Sequence, residues 1–144
     1  VLSIVLQLTI QISLLSTLSP KIGALAIITA HSLGRLVPIY FMMAPAVPSH
    51  EGMGATYSRA VRGRDVLAST VLTIVLLFGL IGAHLFIAAA IVAVVGFAFL
   101  GYVKKKIGGV LGDVLGASEQ IAESFILLYF VVVLTHSLWL SWLI

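Results

Sequence analysis

The stretch from Lys104 to Glu123, KKKIGGVLGDVLGASEQIAE, carries three consecutive lysines, the glycines 108, 109, 112 and 116, and three of the chain's five acidic residues, Asp113, Glu119 and Glu123. Glycines let the backbone turn freely and approach a ligand closely. Ser118 is expected to cap a helix at whose start Glu119 and Glu123, four residues apart, share one face. Ammonium groups neutralise phosphate oxygens and carboxylates bind hard cations, so this combination suits a phosphorylated substrate held through a divalent metal. The same residues admit a plainer account: lysines anchoring a membrane helix, glycines making a turn, and glutamates favouring a helix dipole. Upstream, His31 and Arg35 are also four apart and share a helical face. An arginine near the middle of an apolar span costs about 2.5–3.5 kcal/mol on insertion scales, so it must face a polar cavity or a partner. The polar connection SHEGMGATYSRAVRGRD, residues 49–65, adds Arg59, Arg62 and Arg64. Guanidinium binds phosphate bidentately, which suits a pyrophosphate, although loop arginines also serve membrane topology.

The elements that must position these groups follow from composition. Hydrophobic residues make up 61% of the 144 and charged residues only 9%, where a soluble domain carries about 25% charged residues. The chain therefore reads as an integral membrane protein. Its apolar runs are continuous rather than alternating, which points to helices and not to a transmembrane barrel. The net charge of +3 is accounted for by loop topology, and no basic face for nucleic acid is expected. There is no cysteine, which excludes disulfides, thiol chemistry and Cys-based metal sites. The sequence starts at Val1 with neither an initiator methionine nor a basic leader, so no signal peptide is expected, and a fragment or a processed chain is one reading.

An all-α, polytopic bundle of about five transmembrane helices in one membrane domain, 1–144, is predicted. Residues 1–18 form the first span, where Gln7 and Gln11 share a face that should look into the protein. Residues 22–46 form the second, with Pro38 expected to kink it and free the carbonyl of Gly34 beside Arg35. Residues 66–103 hold one ionisable side chain, His84, and are long enough for a hairpin turning at about 79–84. Ala88, Ala89, Ala90, Ala93 and Gly96 suit close helix packing there. The last span is expected from about Glu119 to the interfacial Trp139 and Trp142, with His136 near its far end. Alternation puts the loops 47–65 and 104–118 on one side, with Arg59, Arg62, Arg64 and Lys104 to Lys106 against Lys21 alone on the other. The positive-inside rule then makes both polar loops cytoplasmic.

GGVLGDVLGA, residues 108–117, resembles the C-terminal signature GG-x-TGD-x-LGA of the cobalamin synthases, the adenosylcobinamide-GDP ribazoletransferases. Gly108, Gly109, Gly112, Asp113, Leu115, Gly116 and Ala117 match in order, Leu111 replaces the usual threonine, and Glu123 stands where the family has a helix glutamate. The segment 44–57, APAVPSHEGMGATY, is similar to the family's P-Y-x-R-x-x-G-x-G through Glu51, Gly52 and Gly54, and Gly34-Arg35 stands where Ser-Arg is usual. The family's Asp-rich DG-x-AD-x-x-DG motif does not occur; the resemblance covers mainly residues 22–57 and 104–123, the family's later portion, which reads either as the C-terminal part of a longer enzyme or as a diverged relative lacking half the metal site.

The resemblance implies a multi-pass enzyme of a prokaryotic plasma or inner membrane. Such an enzyme joins adenosylcobinamide-GDP to α-ribazole, or its 5′-phosphate, with release of GMP and with magnesium. It would make Asp113 and Arg35 catalytic, and Asp113, Glu119 and Glu123 metal ligands. Arg59, Arg62, Arg64, Lys106, Gly108, Gly109 and Gly112 would hold the substrate phosphates. The lipid bilayer, a second copy of the chain, or a missing N-terminal portion are the expected partners. The rival reading is a non-enzymatic membrane subunit of a transport or anchoring complex, with the loop charges serving topology alone.

Overall fold

The computed structural model describes residues 2–43 and 60–135. Among the described residues six helices follow one another: α1 (Leu2–Ser16), α2 (Pro20–Gly34), α3 (Leu36–Phe41), α4 (Gly63–Ile81), α5 (His84–Ile107) and α6 (Gly112–Thr135). Helices α2 and α3 together make one span, and with α4, α5 and α6 give four stretches long and apolar enough to cross a membrane, while α1 is a shorter apolar helix of 15 residues. The expected polytopic helical membrane bundle is therefore the architecture observed.

Helix α6 is the centre. It packs on α1, α2, α3 and α5, whereas α4 lies outside it against α2, α3 and α5. Buried alanines, Ala26 and Ala30 of α2 and Ala122 of α6, suit a close approach of these two helices. The outward faces of α4 and α5 are apolar and exposed, with Leu67, Leu72, Val94 and Phe97 among them. In a bilayer such a surface needs no cover, because lipid tails are as apolar as leucine.

The second span breaks where Pro38 requires it. Proline has no N–H to give the carbonyl four residues back, which is that of Gly34, and its ring crowds that turn. The chain leaves the α2 helix at Arg35, whose N–H reaches the His31 carbonyl at 3.2 Å, and resumes as α3 at Leu36. The α4–α5 hairpin turns at Gly82 and Ala83, inside the window expected, with Gly82 at φ 56°. His84 opens α5 and its Nδ1 lies 3.3 Å from the Tyr129 hydroxyl. Of the small residues expected in contacts, Ala88 and Gly96 are buried, and Ala90 and Ala93 are exposed.

The polar stretch after α5 differs from expectation. Lys104, Lys105 and Lys106 form the last turn of α5, which Gly108 closes in the left-handed region at φ 84°. The connection is only residues 108–111, and α6 begins at Gly112 instead of near Glu119. Ser118 is therefore not a cap: it is buried inside α6, and its hydroxyl donates to the Leu115 carbonyl at 2.7 Å. The helix persists through Gly112 and Gly116 because Val114 and Leu115 bury themselves in the core. That burial outweighs the roughly 1 kcal/mol by which each helical glycine falls short of alanine. Arg59, His50, Glu51, Gly52, Gly54, His136, Trp139 and Trp142 lie outside the described residues.

Candidate functional site

Polar side chains from three helices meet on α6. Glu123 is 2% exposed, and its Oε1 lies 2.6 Å from His31 Nδ1. Its Oε2 accepts from Gln11 Nε2 at 3.1 Å. One turn away, Glu119 Oε1 faces Arg35 Nε at 3.6 Å. Gln7 Nε2 donates to the Gln120 carbonyl at 2.8 Å and to the Ser124 hydroxyl. The i, i+4 spacings read from the sequence each become one strip of this contact: Gln7 and Gln11 on α1, His31 and Arg35 on α2, Glu119 and Glu123 on α6. A buried carboxylate without partners would be strongly unfavourable, so its two donors hold α1 and α2 to α6.

Gly34 allows this approach. A Cβ there would stand 2.8 Å from Glu123 Cγ and 3.5 Å from the Glu119 carbonyl oxygen. Its use is closeness, since the residue is an ordinary member of helix α2.

The geometry fixes the chemistry available. An ionised carboxylate only accepts hydrogen bonds, so opposite such a Glu123 the hydrogen sits on His31 Nδ1, and a neutral ring then keeps its lone pair on Nε2. The His31 side chain is 56% exposed and that of Arg35 75% exposed. Their outer face cannot rest against lipid without the penalty of an intramembrane charge, so it fronts a polar cavity or further protein. The site thus joins a base-competent imidazole and a guanidinium at the edge of a buried carboxylate.

The other expected site residues are placed elsewhere. Asp113 lies in the first turn of α6 and is exposed. It is six residues before Glu119 and ten before Glu123, which on one helix means about 9 and 15 Å along the axis and a different face. The expected metal trio therefore does not converge, and among the described residues no group of three His, Cys, Asp or Glu is placed to hold a metal ion. Magnesium takes a near-ideal octahedron of oxygens. Glu123 is occupied by His31 and Gln11 and Glu119 faces Arg35, so the described residues alone do not fit that ion. Arg62 and Arg64 begin α4, away from α6, and Arg64 Nε is 3.5 Å from Asp65 Oδ1. Lys106, Gly108, Gly109 and Gly112 stand at the α5–α6 connection with Asp113. His31 and Gln11 as partners of Glu123 were not assigned from the sequence. The available signal was that a chain with so few polar residues must pair those it buries.

A helical membrane protein with a charged, hydrogen-bonded cluster open on one side is the class these features define. Residues 1–131 match the cobalamin-5-phosphate synthase family, and the chain belongs to that family. It is 29% identical over 135 residues to the adenosylcobinamide-GDP ribazoletransferase of Clostridium tetani, covering 93% of this chain and 54% of that protein. The same-named protein of Citrobacter koseri is 32% identical over 111 residues, 76% of this chain and 44% of the relative. That of Shewanella piezotolerans is 28% identical over 145 residues, 96% and 54%. The chain spans about half the length of the curated relatives it matches. No solved structure matches it.

Proposed function

We propose that this chain carries part of the active site of a membrane phosphotransferase of cobalamin assembly. That enzyme joins adenosylcobinamide-GDP to α-ribazole, or its 5′-phosphate, and releases GMP. The observation that supports this most is the junction of His31, Arg35, Glu119 and Glu123, in a family whose curated relatives are named for that transfer. In the reaction a ribose hydroxyl oxygen bonds to the phosphorus bearing the corrinoid, and the phosphorus–oxygen bond to GMP breaks. His31 Nε2 takes the hydroxyl proton, oriented by Glu123 through Nδ1. Arg35 neutralises the charge that builds on the departing GMP phosphate. Lys106 and the glycines 108, 109 and 112 serve as phosphate contacts at the membrane face, with Asp113 beside them. A magnesium ion would supply further charge neutralisation. It needs acidic residues beyond those described, and Glu119 is the carboxylate here with a loose enough partner to join them.

The test is GMP release from adenosylcobinamide-GDP, α-ribazole and magnesium by the protein at its natural length. Asp113→Asn keeps the side-chain shape, and at an exposed position it should leave the melting temperature nearly unchanged. Turnover is expected to fall at least about tenfold with a weaker dependence on magnesium, since a carboxylate beside phosphates would act through a shared cation. Wild-type rates in Asp113→Asn would remove Asp113 from the site, and absence of GMP release by the wild type would remove the reaction itself.

Under the same proposal the two polar connections lie on the cytoplasmic side, as the positive-inside rule expects of their basic residues. With no native cysteine, Lys106→Cys should resist an impermeant thiol reagent in intact cells and react after permeabilisation, whereas Ala83→Cys at the opposite hairpin should label from outside. The reverse pattern inverts the topology.

A further inference from the structure

Away from the charged cluster, α3, α4 and α5 enclose an apolar groove of about 540 Å³. It runs along the second span from Leu33 to Met43 and along α5 from Ala89 to Leu100, with Thr70 and Ile74 of α4 closing one side. The only hydroxyl groups among its lining residues, those of Tyr40 and Thr70, face each other at 2.9 Å, and the Thr70 hydroxyl also donates to the Val66 carbonyl. A polar solute would find little there to hold it. The α5 wall rises roughly 16 Å at 1.5 Å per residue, which is about one leaflet of a hydrocarbon core about 30 Å thick.

Among the described residues, basic side chains stand toward one end of the groove. Helices α4 and α5 are antiparallel neighbours through the Gly82–Ala83 turn, so the start of α4 and the end of α5 lie together. Lys104 stands one turn beyond Leu100 on the same face of α5, and Arg62 and Arg64 begin α4 about two turns before Thr70. All three are exposed, and Arg64 also faces Asp65 at 3.5 Å, so the cluster keeps a net positive charge. We propose that the groove is a binding site for a phospholipid with an anionic headgroup. One acyl chain lies along α5, and the phosphate end meets Lys104, Arg62 and Arg64. The apolar wall selects a hydrocarbon chain, its length matches a single leaflet, and the three cations select a negative headgroup over a zwitterionic one.

The protein at its natural length, purified in mild detergent, is titrated with dioleoylphosphatidylglycerol or dioleoylphosphatidylcholine. Retained lipid is counted by native mass spectrometry. The wild type should retain one phosphatidylglycerol at about tenfold lower lipid concentration than phosphatidylcholine. Ala93→Trp, which fills the groove from an exposed wall position, should abolish retention of both lipids while helix content by circular dichroism stays unchanged. Ala89→Phe fills it from one turn further and serves if the tryptophan variant does not fold. Replacing Arg62, Arg64 and Lys104 together by Gln should erase the preference and keep the phosphatidylcholine level. Equal retention of both lipids by the wild type, or unchanged retention in the filled variants, overturns the proposal. A wild-type dimer that retains no lipid and dissociates in Ala93→Trp overturns it as well, and assigns the groove to a second copy.

Discussion

Glu123→Gln is expected to lower GMP release by roughly 10² to 10⁴-fold, the range for losing an oriented proton acceptor. The substitution keeps the volume of a side chain that is 2% exposed, so the α1–α2–α6 contact stays filled. What it removes is the charge that holds the hydrogen on His31 Nδ1. An amide can rotate to donate to that nitrogen, and the ring then presents N–H at Nε2, where a lone pair is needed. The melting temperature should change little, because the partner left behind, His31, can remain neutral and is more than half exposed. Glu123→Ala is a different experiment, since it leaves Gln11 without its acceptor and opens a cavity. A Glu123→Gln rate within threefold of wild type, with an unaltered pH profile, would show that the carboxylate only holds helices together.

Gly34→Val should be the most disruptive substitution of a glycine in the described helices. The first added carbon already lies 2.8 Å from Glu123 Cγ, and the backbone of α6 stands just behind. Because that Cγ belongs to a side chain bonded at both oxygens, it has little freedom to withdraw. Overpacking of this kind costs about 1–3 kcal/mol. Separation of α2 from α6 would also stretch the 2.6 Å His31–Glu123 contact and the 3.6 Å Arg35–Glu119 contact, so activity should fall with stability. The control is Gly101→Val on α5, where a Cβ meets nothing within 4 Å. It should melt within a degree or two of wild type. If Gly34→Val melts with Gly101→Val, the two helices are not as close as described.

Much of the fold was legible in the sequence because the signals were local. Continuous apolar runs with 9% charge dictate membrane helices. Pro38 dictates a break one turn back, and the hairpin near Gly82 follows from a run too long for one crossing. Paired polar residues at helical spacing, Gln7 with Gln11, His31 with Arg35 and Glu119 with Glu123, mark three faces that need polar partners, and the three meet on α6. The resemblance carried by residues 108–117 located the family, as the match over residues 1–131 bears out.

The sequence could not say which face meets which. The glycines around Asp113 suggested a loop, but local propensity is weak beside the burial of Val114 and Leu115, and the packed core draws these residues into α6. That extension sets Asp113 at the helix start, turned away from Glu119 and Glu123, and disperses the metal trio that nearness in sequence had implied. It also brings Glu123 against His31, 92 residues earlier, because Gly34 and the alanines of α2 and α6 let the helices close to that distance. Residue types and spacing determined which groups had to be satisfied inside a membrane, since a polar group there has no water to turn to. Tertiary packing decided the partner of each, because only the approach of two particular helices brings a given donor within reach of a given acceptor.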